Sequence, residues 1–266
     1  MFKHFKDMEY TVRVDRPDPS FAIKLLEQFG GGNGELKAAM QYLVQSFGCN
    51  DAKIRDLMQD VAAEEFSHFE MVGECIAMLL GDIDKIPKDY PANYMAVLGG
   101  GPTLTDSAGN PWCATFVNAT GDLITDLQSN VAAELRAKLV YERLLQQTDD
   151  PGVKDMIRFL LSREESHATS FSEAIAANPN KGTMKDFRDS TFSHMYMDLS
   201  QGHGNSFGPW NQNDFQILND PQQKFGDMPH YGHDVNANTP NEFGPNYNDN
   251  QRNNPNHPHP NQHNHQ

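Results

Sequence analysis

Cysteine is scarce in this 266-residue sequence: Cys49, Cys75 and Cys113 lie far apart and form no Cys-x-x-Cys pair. Iron–sulfur clusters, thiolate zinc sites and covalently attached haem therefore lack the ligand pattern that they need. Because isolated thiols are typical of a reducing compartment, we expect a cytoplasmic protein.

Basic residues and long apolar runs are also few. Lysine and arginine number 21 against 36 acidic residues, which gives a formal net charge of −15, and no run of basic residues is present to attract nucleic acid or an anionic membrane. No segment approaches the roughly 18 apolar residues of a membrane span, and the N-terminal segment lacks the apolar core of a signal peptide. Neither nucleic acid nor a membrane is therefore expected as a partner, and small or cationic ligands are favoured.

Helical periodicity is the main feature that the sequence does contain. Apolar residues recur every three to four positions in five segments: 17–29, 35–47, 51–80, 113–147 and 152–177. Residues 81–112 break this pattern with several prolines and a triple glycine, so they predict a long connection. Four long helices in two hairpins, joined by one long crossover, form an all-α, ferritin-like four-helix bundle.

Composition divides the chain near residue 200. Residues 1–200 are predicted to form the ferritin-like bundle domain. Residues 201–245 predict an irregular C-terminal arm, which we expect to be ordered at a subunit interface. Residues 246–266, rich in Asn, His and Pro, have no side chains suited to a core and predict a disordered tail.

A motif within the helical part occurs twice, displaced by 99 residues. Glu35-Leu-Lys-Ala is repeated as Glu134-Leu-Arg-Ala, and Glu65-x-x-His68 is repeated as Glu164-x-x-His167. Glu and His at positions i and i+3 share a helix face. In each predicted hairpin the lone Glu and the Glu-x-x-His pair lie at similar distances from the turn, so we expect them at one level of the bundle.

Two such hairpins bring four carboxylates and two imidazoles to one buried level, which is the arrangement that binds two metal ions in ferritin-like carboxylate proteins. Oxygen and imidazole donors without thiolate suit manganese or iron. A single Glu-x-x-His is more often a solvated pair or a hydrogen-bonded core histidine, but two copies with matching lone glutamates favour a dimetal site.

Three further side chains lie beside this motif. Tyr42, two turns after Glu35, could donate a hydrogen bond to that carboxylate or simply pack in the core. Glu64 and Glu165 have no counterpart in the other repeat, and we interpret them as carboxylates at the surface or behind the ligands.

A family resemblance is carried by FGGGNGELKAAMQY at 29–42, the two repeats, GGGPTLTDSAGNPW at 99–112 and SQGHGNSFGPWN at 200–211. Together these stretches resemble the non-haem manganese catalase family over about residues 1–215. The resemblance implies an enzyme that disproportionates hydrogen peroxide to dioxygen and water at two manganese ions per subunit.

The resemblance also implies a role for each motif residue. Glu35 and His68 would ligate one manganese, Glu134 and His167 the other, and Glu65 would bridge them. Glu164, which the repeat alone would make a sixth ligand, would be an outer-sphere proton carrier. Ala133 departs from the family, which has an arginine just before the third metal-binding glutamate, so the partner expected to fix Glu164 or narrow the substrate channel is missing.

A calcium site and an assembly are also implied. Asp56, Asp60, Asp198, Ser200 and Gly202 resemble a calcium site at the subunit interface of some members, and hard oxygen donors suit that ion. Without the resemblance, the aspartate pair is better interpreted as a solvated helix face. Members of the family assemble as hexamers in which the C-terminal arm wraps a neighbour.

Two alternatives remain open at this point. A ferritin-like di-iron oxidase or peroxidase would need Glu164 as a true ligand and iron in the isolated protein. A structural coat or shell protein would keep the fold and the metal site but serve mainly through assembly.

Overall fold

The computed structural model describes residues 5–178, and within this range it is helical. Its six α-helices are α1 (Pro19–Phe29), α2 (Glu35–Gly48), α3 (Ala52–Leu80), α4 (Asn93–Leu98), α5 (Leu123–Leu145) and α6 (Pro151–Ala177). An isolated bridge between Thr105 and Pro111 is the one β-type pairing in the described range. The prediction of an all-α fold is confirmed.

Aspartate side chains begin four of these helices. Asp18, Asp51, Asp122 and Asp150 accept hydrogen bonds from backbone N–H groups in the first turns of α1, α3, α5 and α6, which otherwise have no partner within the helix. Gly81 ends α3 with a φ of 62°, a left-handed conformation that costs glycine little. Local sequence thus sets where the long helices begin and end.

The long helices form two hairpins. Helix α2 packs against α3, and α5 packs against α6. The hairpins meet through contacts of α2 with α5 and of α3 with α6, and α1 lies against α3 and α5. This is the ferritin-like bundle expected from the sequence.

The crossover is longer than predicted, because the helix expected over 113–147 begins only at Leu123. The carboxylate of Asp126 accepts hydrogen bonds of 2.8 Å from both the backbone N–H and the hydroxyl of Thr120, and one of 3.1 Å from Gly121 N–H. Gly121 has a φ of 76°. These contacts hold a turn before α5, so residues 81–122 connect the hairpins and include α4.

Two apolar clusters enclose the middle of the bundle. One includes Phe21, Leu25, Ile76, Leu79 and Leu160. The other includes Tyr42, Met58, Leu127 and Phe171. Along α3, α5 and α6 the motif residues lie between members of the two clusters, so apolar packing shields the polar level from water on both sides.

No helix within residues 5–178 is both long and apolar enough to cross a membrane. The predicted arm at 201–245 and the tail at 246–266 lie outside the described residues, as do Asp198, Ser200 and Gly202.

Candidate metal centre

Six ionisable side chains of the repeat are buried at one level, each with an exposure of 2% or less: Glu35 on α2, Glu65 and His68 on α3, Glu134 on α5, and Glu164 and His167 on α6. Burying so many charged groups is costly unless they are paired or bind a metal. The structure therefore brings together all six residues that the repeat predicted.

The first group consists of Glu35, Glu65, His68 and Glu164, which offer ligand atoms that all lie within 4.8 Å of one another. Nδ1 of His68 lies 3.3 Å from Glu65 Oε2, 3.7 Å from Glu35 Oε2 and 3.9 Å from Glu164 Oε1. This group could hold a metal ion.

The second group consists of Glu65, Glu134 and His167. Nδ1 of His167 lies 2.8 Å from Glu65 Oε1 and 3.8 Å from Glu134 Oε2. One oxygen of Glu65 therefore faces each imidazole, and Glu65 belongs to both groups. A carboxylate between two cations would occupy this position.

Many buried polar atoms of these groups have no hydrogen-bond partner within the described residues. They are Glu35 Oε2, Glu65 Oε1, both oxygens of Glu134 and of Glu164, Nε2 of His68 and both ring nitrogens of His167. Buried polar groups are nearly always partnered, so the converging carboxylate oxygens and Nδ1 of His167 fit cations as their missing partners. The two Nε2 atoms point away from these groups, towards Glu64. The donor set, oxygen and imidazole, suits manganese or iron.

Crowding of carboxylates raises the proton affinity of several of them. Burial, supplemented by the charge of Glu65, raises the pKa of Glu35 to about 8. Burial and the neighbouring glutamates raise the pKa of Glu164 well above its usual value. Without metal, these two side chains therefore bind protons readily.

Glu65 and the imidazoles change one another's pKa values, because each favours the charged form of the other. Burial opposes ionisation of Glu65, but the neighbouring imidazoles of His167 and His68 outweigh it and lower the pKa of that carboxyl. Burial likewise opposes protonation of His167, yet Glu134, Glu64 and Glu65 raise its pKa to about 11. Two cations would replace these protons.

Two tyrosines lie close to the site, one from each hairpin. The hydroxyl of Tyr141 donates a hydrogen bond to Glu35 Oε1 across the bundle. Tyr42, for which both a hydrogen bond to Glu35 and core packing were considered, is fully buried, and its hydroxyl has no hydrogen-bond partner among residues 5–178. Of the two roles considered for Tyr42, the structure shows core packing, against Phe171, and the hydroxyl that reaches Glu35 comes from the other hairpin. Tyr141 is the counterpart of Tyr42 at the 99-residue displacement, so the repeat contained the signal that was missed.

A second layer of charge lies behind the imidazoles. Nε2 of His167 is 3.1 Å from Glu64 Oε2, and Nε2 of His68 is 3.6 Å from Glu64 Oε1. Arg163 contacts the same carboxylate through Nε at 2.5 Å and Nη2 at 3.3 Å. Sequence reasoning missed Arg163, although it stands in α6 at the position equivalent to Glu64 in α3.

Lys37 is a buried cation beside the site. Its side chain is 2% exposed, and its Nζ has no hydrogen-bond partner within the described residues. Burial, assisted by the charge of Arg136, lowers its pKa to about 8, although Glu134 and Glu65 act in the opposite direction. No pattern in the sequence predicted that this lysine would be buried.

The structure locates Ala133, where the sequence departs from the family pattern, and two of the five residues of the implied calcium site. Ala133 is buried next to Glu134, where its methyl group offers no charge. Asp56 and Asp60 are both exposed on α3. The calcium site remains a prediction.

Comparison with known proteins identifies the family. The family described as "Manganese containing catalase" matches residues 1–262. A probable manganese catalase of Clostridium acetobutylicum is 45% identical over 213 residues, which cover 75% of this chain and 91% of that protein. The manganese catalase of Lactiplantibacillus plantarum is 37% identical over 224 residues, covering 77% of this chain and 84% of that protein.

A solved structure gives the same result for the fold. The crystal structure of wild-type KatB, a manganese catalase from Anabaena, is 38% identical with a TM-score of 0.70, and the alignment covers 80% of this chain and 96% of that one. Family match, curated relatives and fold agree with the geometry of the buried groups, and the chain belongs to the manganese-containing catalase family.

Proposed function

We propose that the protein is a dimanganese catalase that converts hydrogen peroxide to dioxygen and water. The carrying observation is that Glu65 faces both His68 and His167 and so joins two carboxylate–imidazole groups into one site. Two manganese ions, when bound, supply the two-electron redox chemistry that disproportionation requires.

Five side chains are proposed as ligands. Glu35 and His68 would hold one ion, Glu134 and His167 the other, and Glu65 would lie between them. Four buried carboxylates, counting Glu164, carry a charge that balances two divalent cations. The fit is therefore one of charge as well as of donor type.

The remaining contacts of the chain prepare the site. The hydrogen bond from Tyr141 fixes one oxygen of Glu35 and leaves the other, Oε2, directed towards His68. The apolar clusters on both sides exclude bulk water, so charged groups inside interact strongly. A small neutral substrate such as hydrogen peroxide suits so enclosed a site.

Glu164 is proposed to carry protons between substrate oxygen atoms at the site. Its raised pKa, due first to burial, favours a carboxyl group that accepts and releases protons away from the acidic range. The same placement also supports a second role, because Glu164 belongs to the first group with Glu35, Glu65 and His68. As a ligand it would complete the six-residue set that the repeat alone predicted, and this role would also suit the di-iron alternative.

We also propose a cellular location and an oligomeric state for the enzyme. A cytoplasmic location is supported by the isolated cysteines, and a hexamer with a calcium site by the resemblance in sequence. Chelation of calcium should then loosen the oligomer, and an unchanged sedimentation profile would count against that site.

The test is to purify the protein from cells supplied with manganese and to measure dioxygen released per peroxide consumed, with metal content determined on the same sample. One dioxygen for every two peroxides, with two manganese ions per chain, is the expected result. Turnover restored only by iron would establish the di-iron oxidase instead. A site that binds metal but never turns over peroxide would leave the structural shell protein.

A further inference from the structure

The outer nitrogens of the two imidazoles face a single carboxylate. Nδ1 of His68 and of His167 points to the buried ligand groups, so Nε2 of each ring points the opposite way. Glu64 lies 3.6 Å from one Nε2 and 3.1 Å from the other, using a different oxygen for each. Glu9 also approaches His68, at 3.8 Å, but no contact of Glu9 with His167 is formed within the described residues.

The chemistry of a ligating histidine makes this carboxylate necessary. An imidazole that binds a cation through Nδ1 carries its proton on Nε2, and that N–H needs an acceptor when it is buried. Both Nε2 atoms are buried, since His68 is 0% and His167 is 2% exposed. Among residues 5–178, Glu64 is the carboxylate that lies near Nε2 of both rings and can serve as their shared acceptor.

Glu64 is itself held in place. Arg163 donates two hydrogen bonds to its carboxylate, from Nε to Oε1 at 2.5 Å and from Nη2 to Oε2 at 3.3 Å. This bidentate geometry fixes the orientation of a carboxylate. The side chain of Glu64 is 22% exposed and that of Arg163 is 34% exposed, so the pair closes the site towards the surface. The guanidinium also offsets a negative charge that would otherwise stand next to four others.

The repeat explains why a single carboxylate serves both imidazoles. Positions 64 and 163 are equivalent in the two halves of the bundle, and they carry opposite charges. Arg163 contacts the carboxylate of Glu64 directly, so the two equivalent positions meet on the outer side of the imidazoles. A glutamate at both would place two anions in contact, whereas Glu64 with Arg163 gives one shared acceptor and its counter-ion.

We propose that Glu64 is a positioning residue shared by both histidines, which accepts a hydrogen bond from each Nε2–H and so presents both Nδ1 atoms to the metals. Arg163 holds Glu64 in that place. The inference rests on the proposed function, because it assumes that His68 and His167 are ligands.

Glu64→Gln tests the proposal with little change of shape. An amide can accept from one imidazole through its oxygen, but its nitrogen opposes the N–H of the other. The matched control is Glu165→Gln, which removes the same charge one residue from Glu164, at a side chain that is 70% exposed and paired with Lys138.

Manganese(II) affinity is measured by competition with a chelator, and the loaded proteins are compared by electron paramagnetic resonance. We expect Glu64→Gln to bind manganese about 10- to 100-fold more weakly than wild type and to alter the spectrum of the metal pair. Glu165→Gln should match wild type in both. An unchanged affinity and spectrum in Glu64→Gln would overturn the proposal.

Exchange of the two charges provides a rescue experiment. Glu64→Arg alone removes the acceptor carboxylate and places a second guanidinium group beside Arg163, so this variant should lose manganese. Adding Arg163→Glu returns a carboxylate to the equivalent position on α6, so the double variant should recover much of the lost affinity. A double variant that is folded, by circular dichroism, and binds no better than Glu64→Arg would contradict a shared acceptor.

Failure of this inference differs from failure of the proposed function. Wild-type protein that binds no manganese or releases no dioxygen would remove the catalase proposal. Normal wild-type binding with normal binding by Glu64→Gln would remove only the role of Glu64. Loss of a third manganese from Glu64→Gln, with the two inner ions retained, would also overturn it, since Glu9, Glu64 and His68 would then form a separate outer site.

Discussion

The two hairpins of the bundle are alike inside and different outside. The buried donors repeat in pairs: Glu35 with Glu134, Glu65 with Glu164, and His68 with His167. Outside it, equivalent positions diverge, since Glu64 stands opposite Arg163 in the repeat. Metal binding requires the same donors from both halves, whereas the layer behind them must balance charge.

Lys37 and Arg136 show the same divergence. The two cations are equivalent by the repeat, yet Lys37 is buried and forms no hydrogen bond through Nζ with any described residue, while Arg136 is exposed and donates to Asn33 Oδ1 at 2.9 Å. The surroundings, not the motif, therefore decide which cation is enclosed. Changes at matched positions of the two halves can test how far the likeness extends.

The largest effect is expected at the residue that both halves share. Glu65→Ala should remove most bound manganese and abolish turnover, because each group loses its common carboxylate. Metal content and dioxygen release are the measurements. Retention of both ions would show that the two groups do not depend on Glu65.

Glu164→Ala tests whether the halves are equivalent in function. If Glu164 is a proton carrier, the variant should keep its manganese and lose activity. Metal content per chain decides the matter, with Glu65→Ala as the reference. Equal loss of metal in both variants would make Glu164 a ligand and the site symmetric.

The metal-free protein should lose stability as pH rises. The pKa of Glu35 is raised from 4.5 to about 8 in the folded state, so its contribution is complete below pH 4.5 and is lost as pH approaches 8. The pKa of His167 is raised from 6.5 to about 11, so its contribution is complete below 6.5 and declines above that value.

Both shifts therefore predict that the free energy of unfolding of the metal-free protein falls between pH 5 and pH 9. Manganese replaces the same protons, so its affinity should rise over this interval. Urea titrations at several pH values, with and without manganese, measure both trends. A metal-free protein that becomes more stable towards pH 9 would contradict the shifts.

The tyrosine pair should respond unequally. Tyr141→Phe removes the hydrogen bond to Glu35 and should cost about 2 kcal/mol in the free energy of unfolding. Tyr42→Phe removes a hydroxyl that has no partner among the described residues, so it should be neutral or slightly stabilising. Denaturant unfolding of the two metal-free variants measures both changes. An equal loss of stability in the two variants would contradict the hydrogen bond from Tyr141 to Glu35.

The smallest effect is expected from the cation pair. Lys37→Met should stabilise the metal-free protein by about 1 kcal/mol, because an apolar side chain of similar length replaces a buried, unpartnered amine. Arg136→Met should leave stability nearly unchanged, since it loses only an exposed contact. Thermal melts of both variants are the measurement. A destabilised Lys37→Met would show that the amine of Lys37 makes a stabilising interaction.

Part of the site could be predicted because its signal is periodic. Glu-x-x-His on one helix face and a displacement of 99 residues place six donors at one level, whatever the details of packing. The start of α5 was less predictable. The apolar pattern extends back to residue 113, but hydrogen bonds from Thr120 and Gly121 to Asp126 keep the preceding residues out of the helix.

By itself, the sequence determined the all-α fold, the two hairpins and the six buried donors, because helical periodicity and the repeat are properties of order along the chain. Only the tertiary structure decided that Tyr141 reaches Glu35, that Glu64 faces both imidazoles, and that Lys37 is enclosed. These contacts cross between helices, and the relative rotation and spacing of packed helices depend on all the side chains at their interfaces.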